Sequence, residues 1–83
     1  MTRRSWDVEN AKHFGAIIRR LRLDRHLSMR QLAQQAAIND RHISVLERGA
    51  NTPTLQTVFD LADALRVNAA DIVAEVDAAR RRS

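Results

Sequence analysis

The chain contains no cysteine, which excludes disulfide scaffolds, cysteine-ligated zinc sites and thiol nucleophiles. Aromatic residues are scarce, one tryptophan and two phenylalanines, too few for the stacking platforms that hold single-stranded nucleic acid. Core packing therefore falls to Leu, Ile, Val and Ala, which favours helices over strands. With only two glycines the chain has no glycine-rich phosphate loop. No apolar run approaches membrane-spanning length. The stretch Met1 to Asp7 is basic but leads into Val8, Glu9 and Asn10 rather than an apolar segment, so it does not read as a secretion signal. These absences lead us to expect a soluble, cytoplasmic protein that does not associate with membranes.

Chemistry is equally sparse. His13, His26 and His42 fall on different elements without metal-ligand spacing and have no cysteine to join them, so no metal or cofactor is expected. A catalytic serine would need a base and an oxyanion site that so small a domain rarely builds. An enzyme is therefore not expected, and no small-molecule ligand is evident.

What is present is one core and an uneven charge. Eighty-three residues suffice for a single domain spanning 1–83, with its core at about 7–77 and a polar, basic tail at 78–83; the segment Asp77 to Ser83 should fray. Residues 1–48 carry a net charge of +5 and residues 49–79 a net of −4, after which Arg80, Arg81 and Arg82 add three positive charges. Positive charge gathered in one half is what a polyanion-binding face requires.

Helical periodicity runs through most of the chain. Val8, Ala11, Phe14, Ile17, Ile18 and Leu21 recur at three- and four-residue intervals and predict a first helix from about Asp7 to Arg25. Ser28 with Gln31 fits a capping box ahead of a short helix Met29 to Ala36, with Leu32, Ala33 and Ala36 inward. Asn39 is a good N-cap for a helix Asp40 to Arg48, which carries Ile43 and Leu46 on its apolar stripe and is closed by Gly49. The loop 50–54 holds the only proline, Pro53. Leu55, Val58, Phe59, Ala62 and Leu65 predict a fourth helix, and Asn68 with Asp71 starts a fifth that buries Ile72, Val73 and Val76.

Two short helices joined by a tight turn and backed by flanking helices form a helix-turn-helix. The stretch Met29 to Arg48 resembles the phage-repressor (Cro/Xre-type) helix-turn-helix family at Leu32, Ala33, Ile38, Ile43, Ser44, Leu46, Glu47, Arg48 and Gly49. Downstream, Pro53, Leu55, Val58, Leu61, Ala62, Leu65 and Val67 extend the likeness, which covers roughly residues 14–73. The resemblance implies an all-α, five-helix, lambda-repressor-like DNA-binding domain acting in transcriptional control. It also has departures. Met29 stands where the family often has a glutamine that contacts the DNA backbone, and should pack instead; His26 and Ala37 occupy turn positions where glycine is usual.

A helix fits the major groove, where every base pair shows a distinct donor and acceptor pattern. Opposite Ile43 and Leu46 lie Asn39, Asp40, Arg41, Ser44 and Val45, which are the base-reading candidates. Arg41 leads, because its planar fork can donate two hydrogen bonds to guanine O6 and N7. Val45 suits a thymine methyl; Asp40 suits cytosine N4, or merely favours the helix dipole. Ser28, Arg30, His42, Arg48, Asn51 and Thr52 lie at helix starts or in the adjoining loop, and are candidates for phosphate. Arg22 and Glu47 match the positions at which the resemblance implies a structural ion pair.

Helix-turn-helix repressors usually bind as two-fold dimers with recognition helices about 34 Å apart. Val67, Ile72, Val73 and Val76 are the candidate dimer surface, or else complete the monomer core. Trp6 covers the far end of the core or joins a partner. The compact length resembles restriction-modification controller proteins and short phage-type regulators. An alternative is a protein-interaction module, such as an antitoxin that covers a toxin and represses its own operon; RNA polymerase is another conceivable protein partner.

Overall fold

Five helices make up the computed structural model, which describes the backbone of residues 3–82 and the side chains of residues 8–82; the expectation for Trp6 lies outside the described side chains. They are α1 (Arg3–Asp24), α2 (Met29–Ala36), α3 (Asp40–Glu47), α4 (Leu55–Leu65) and α5 (Ala69–Arg82), with no strand among the described residues. The all-α, five-helix expectation holds. No helix is long and apolar enough to cross a membrane, among the described residues.

Each short helix starts on the residue whose side chain can accept its orphan amides. Ser28 Oγ accepts the Gln31 amide at 3.0 Å, while Gln31 Oε1 accepts the Ser28 amide at 2.8 Å. Asn39 Oδ1 accepts the Arg41 amide at 2.8 Å and Thr54 Oγ1 the Thr57 amide at 3.1 Å.

The helix ends follow a shared rule, served by glycine only at Gly49 after α3. His26, Ala37 and Arg66 all take the left-handed conformation, at φ 57°, 57° and 58°. In each case the next residue donates its amide five residues back, Leu27 to Arg22, Ile38 to Ala33 and Val67 to Ala62, at 3.1, 2.9 and 3.0 Å. Leu27, Ile38 and Val67 then pack against the core. The buried apolar residue offsets the steric cost of the left-handed residue before it. Ala37 is exposed, so its methyl contributes no packing. Ala37→Gly is therefore expected to stabilise the fold by about 0.5–1 kcal/mol, read as a melting temperature several degrees higher; a lower value would show that the strain is absent.

The core is formed by Ile18, Leu32, Ile43, Leu46, Leu61, Leu65 and Ile72, all fully buried. Helix α1 packs on α3 and α5, and α2 on α3 and α4. Three expectations need correction. Val8, placed on the inner face of α1, is exposed, as are Leu55 and Phe59 of α4. The C-terminal segment is helical beyond Asp77: α5 continues to Arg82. Asp77 holds it, with Arg80 at 2.9 Å and Arg81 at 3.1 Å one turn on, and cations suit a helix C-terminus. Of the four candidate interface residues, Ile72 is fully buried and Val67 and Val76 pack against the core. These three fit the alternative in which they complete the monomer core, whereas Val73, expected to be buried by α5, is 53% exposed and borders, with the half-buried Val76, a groove between α4 and α5.

Helix α5 is also pinned from outside. Arg20 donates to both oxygens of Glu75 at 2.8 and 3.0 Å. That hydrogen bonding holds the Glu75 carboxyl below its ordinary range, but both groups are about half exposed, so the pair is worth less than about 1 kcal/mol.

Candidate nucleic-acid interface

Helix α3 is amphipathic on eight residues: Ile43, Leu46 and Glu47 point inward, while Asn39, Asp40, Arg41 and Arg48 are exposed. Asn39, Asp40, Arg41, His42 and Val45 line one shallow cleft at the start of the helix. His42 thus sits with the base-reading candidates rather than with the loop, and Ser44 does not line the cleft. The Asn39 Oδ1 already accepts the Arg41 amide, while its NH2 group remains to donate to a ligand. Arg41 and Asp40 form no ion pair with each other or with any other described residue.

The phosphate candidates divide into two groups. Ser28 and Arg30 lie at the start of α2, where the Ser28 oxygen already accepts a backbone amide and keeps its hydroxyl proton to donate. Arg48, Asn51 and Thr52 are exposed at the far end of α3 and in the loop beyond it. Arg48 Nε is held by the Ser44 carbonyl at 3.3 Å, which leaves the terminal guanidinium nitrogens outward.

Beneath this face lies the pair that fixes α3. Arg22 Nε donates to Glu47 Oε2 at 2.7 Å and its Nη2 to Oε1 at 3.0 Å. Its remaining nitrogen donates to the Leu27 carbonyl at 2.8 Å. The two side chains are 8% and 2% exposed, so this is a buried, bidentate pair rather than a solvated one. Hydrogen bonding by Glu47 raises the Arg22 pKa above its ordinary value. No buried side-chain polar atom among the described residues lacks a partner. Arg22 thereby ties the end of α1, the turn before α2 and the end of α3 into one rigid unit.

Two glycines complete that unit. A Cβ on Gly15 would stand 2.3 Å from the Leu46 carbonyl oxygen and 2.6 Å from that of Glu47. A Cβ on Gly49, whose φ is +73°, would stand 2.7 Å from Lys12 Cα. The turn at Gly49 is legible in the sequence, whereas its close approach to Lys12 and the contact at Gly15 are not. A signal existed for Gly15: a mid-helix glycine costs about 1 kcal/mol relative to alanine, so one there calls for a packing reason.

Known proteins bear on this arrangement directly. The signature of the family described as Helix-turn-helix matches residues 18–72, most of the chain. The chain belongs to the helix-turn-helix family, of Cro/Xre type. An uncharacterised HTH-type transcriptional regulator of Mycobacterium tuberculosis is 40% identical over 55 residues, 66% of this chain and 39% of the relative. The chain thus spans well under half the length of that relative. The uncharacterised HTH-type transcriptional regulator y4dJ of Sinorhizobium fredii is 32% identical over 70 residues, 84% of this chain and 91% of the relative. Among solved structures, the clp gene regulator ClgR of Corynebacterium glutamicum superposes with a TM-score of 0.78 at 26% identity, over 84% of this chain and 91% of that one. The restriction-modification controller protein C.AhdI of Aeromonas hydrophila gives 0.73 at 27% identity, over 75% and 94%. The relatives of this helix-turn-helix protein are named as transcriptional regulators, not as enzymes.

Proposed function

We propose that this helix-turn-helix protein is a cytoplasmic, sequence-specific regulator of transcription that binds double-stranded DNA as a homodimer on an inverted repeat. The observation that carries the reading is α3 itself, whose outward residues Asp40, Arg41 and Val45 line one cleft on a helix locked from behind by a buried ion pair. A rigid helix with an unpaired arginine near its start suits the major groove, where Arg41 offers a bidentate donor pair to guanine worth about 1–3 kcal/mol of discrimination. Asp40 beside it suits the amino group of cytosine. Ser28, Arg30, Arg48, Asn51 and Thr52 flank that helix and suit the phosphates on either side of the groove.

The same geometry supports the dimer reading. One eight-residue helix contacts too few base pairs for useful specificity against a genome. Leu55, Phe59 and Val73 are 66%, 45% and 53% exposed and border one apolar groove between α4 and α5. That groove, which keeps Val73 and the half-buried Val76 from the residues expected from sequence, suits a second copy related by a two-fold axis.

Selection of bound sequences from a random duplex library tests this reading. Enrichment of an inverted repeat with half-sites about one helical turn apart is expected, and Arg41→Ala should relax a single guanine preference in each half-site. Failure of the folded protein to enrich any motif would overturn it.

A further inference from the structure

The close contact at Gly49 has a second partner whose chemistry the DNA-binding residues so far do not include. A Cβ on residue 49 would stand 2.8 Å from Lys12 Cγ as well as 2.7 Å from its Cα. The aliphatic stem of Lys12 therefore lies over Gly49, between Arg48 and the loop that carries Asn51 and Thr52. The same loop crosses this end of α1: Thr52 and Pro53 share a small apolar cavity with Asn10, Ala11 and Phe14. Lys12 is exposed. Among the described residues no carboxylate stands within ion-pair distance of its ammonium, whereas Arg20, Arg22, Arg80 and Arg81 are each paired with one. The nearest acid along the helix surface, Glu9, stands against His13 instead.

We propose that Lys12 is a DNA-phosphate ligand, by which α1 joins Arg48, Asn51 and Thr52 in gripping the sugar-phosphate backbone beside the groove entered by α3. This rests on the reading of the protein as a DNA-binding regulator and extends it to an element outside the helix-turn-helix. A lysine is a compact point charge on a flexible stem, suited to phosphate and indifferent to base identity. Its position is nevertheless fixed, because Gly49 allows the two backbones to touch there and any other residue would push Lys12 away from the loop. Lys12 therefore contributes to affinity and register, leaving sequence preference to α3.

The test is the salt dependence of duplex binding, measured by fluorescence anisotropy for the full chain and for Lys12→Gln, on the selected site and on an unrelated duplex. Each neutralised phosphate contributes about 0.9 to the slope of log affinity against log salt. Lys12→Gln is expected to make the slope shallower by about 0.9 per bound chain, and to weaken binding by a similar factor on both duplexes. Its melting temperature should not change, and Lys12→Arg should restore the wild-type slope. A Lys12→Gln protein with wild-type slope and affinity would overturn the assignment while leaving the regulator reading in place. A wild-type chain that binds neither duplex would overturn both.

Discussion

Replacing Glu47 by alanine is expected to destabilise the protein by about 3 kcal/mol, because it leaves the Arg22 guanidinium buried and uncompensated. Arg22 cannot relieve the cost by losing its proton, and it cannot turn to water without giving up its hydrogen bond to the Leu27 carbonyl. For a domain of this size, 3 kcal/mol corresponds to a fall in melting temperature of roughly 12–24 °C. A fall of only a few degrees would mean that the pair is solvated and the rigid junction is not what holds α3. The double variant Arg22→Met, Glu47→Leu separates two roles. Removing both charges together with apolar replacements is often neutral or stabilising, so its melting temperature should return close to the wild-type value. The cost of the single variant is then the penalty of one orphaned charge, not the net worth of the pair.

The elements that carry this junction were largely legible from the residues. Helices α2 and α4 begin and end where Ser28, Ala37, Leu55 and Leu65 place them, because caps and left-handed turns are local chemistry. The ends of α1 and α5 were not legible. The apolar pattern says nothing about Arg3 or Arg82, and the helix around Asp77 is held by charged neighbours three and four residues apart. The outward set on α3 follows from period alone, whereas the division of α5 does not. A period of 3.6 marks Ile72, Val73 and Val76 as apolar without saying which neighbour each will meet. Only once α1 covers Ile72 do Leu55, Phe59 and Val73 prove to be the exposed large apolar residues of α4 and α5. Close approaches between distant segments were the least legible feature, since they depend on distances that no spacing encodes. Gly15, thirty-one residues before Leu46 in sequence, is the clearest example.

Gly15→Ala sets two effects of opposite sign against each other, and their magnitudes decide the outcome. Alanine gains about 1 kcal/mol in helix propensity at an interior position. Against this, its methyl would stand 2.3 and 2.6 Å from two carbonyl oxygens at the end of α3. These are backbone atoms and cannot rotate away, so α3 must withdraw from α1 by roughly 1 Å to restore ordinary contact. Overpacking of this kind costs up to about 3 kcal/mol, which leaves a net destabilisation of about 2 kcal/mol, or a melting temperature lower by roughly 8–16 °C. The displacement also loosens the Arg22–Glu47 pair and moves the helix that carries Asp40, Arg41 and Val45. Specific DNA affinity should therefore fall by at least about tenfold, the equivalent of one base contact, while binding to unrelated duplexes changes little. A variant with an unchanged or higher melting temperature would mean that propensity wins and that α1 and α3 do not touch at Gly15.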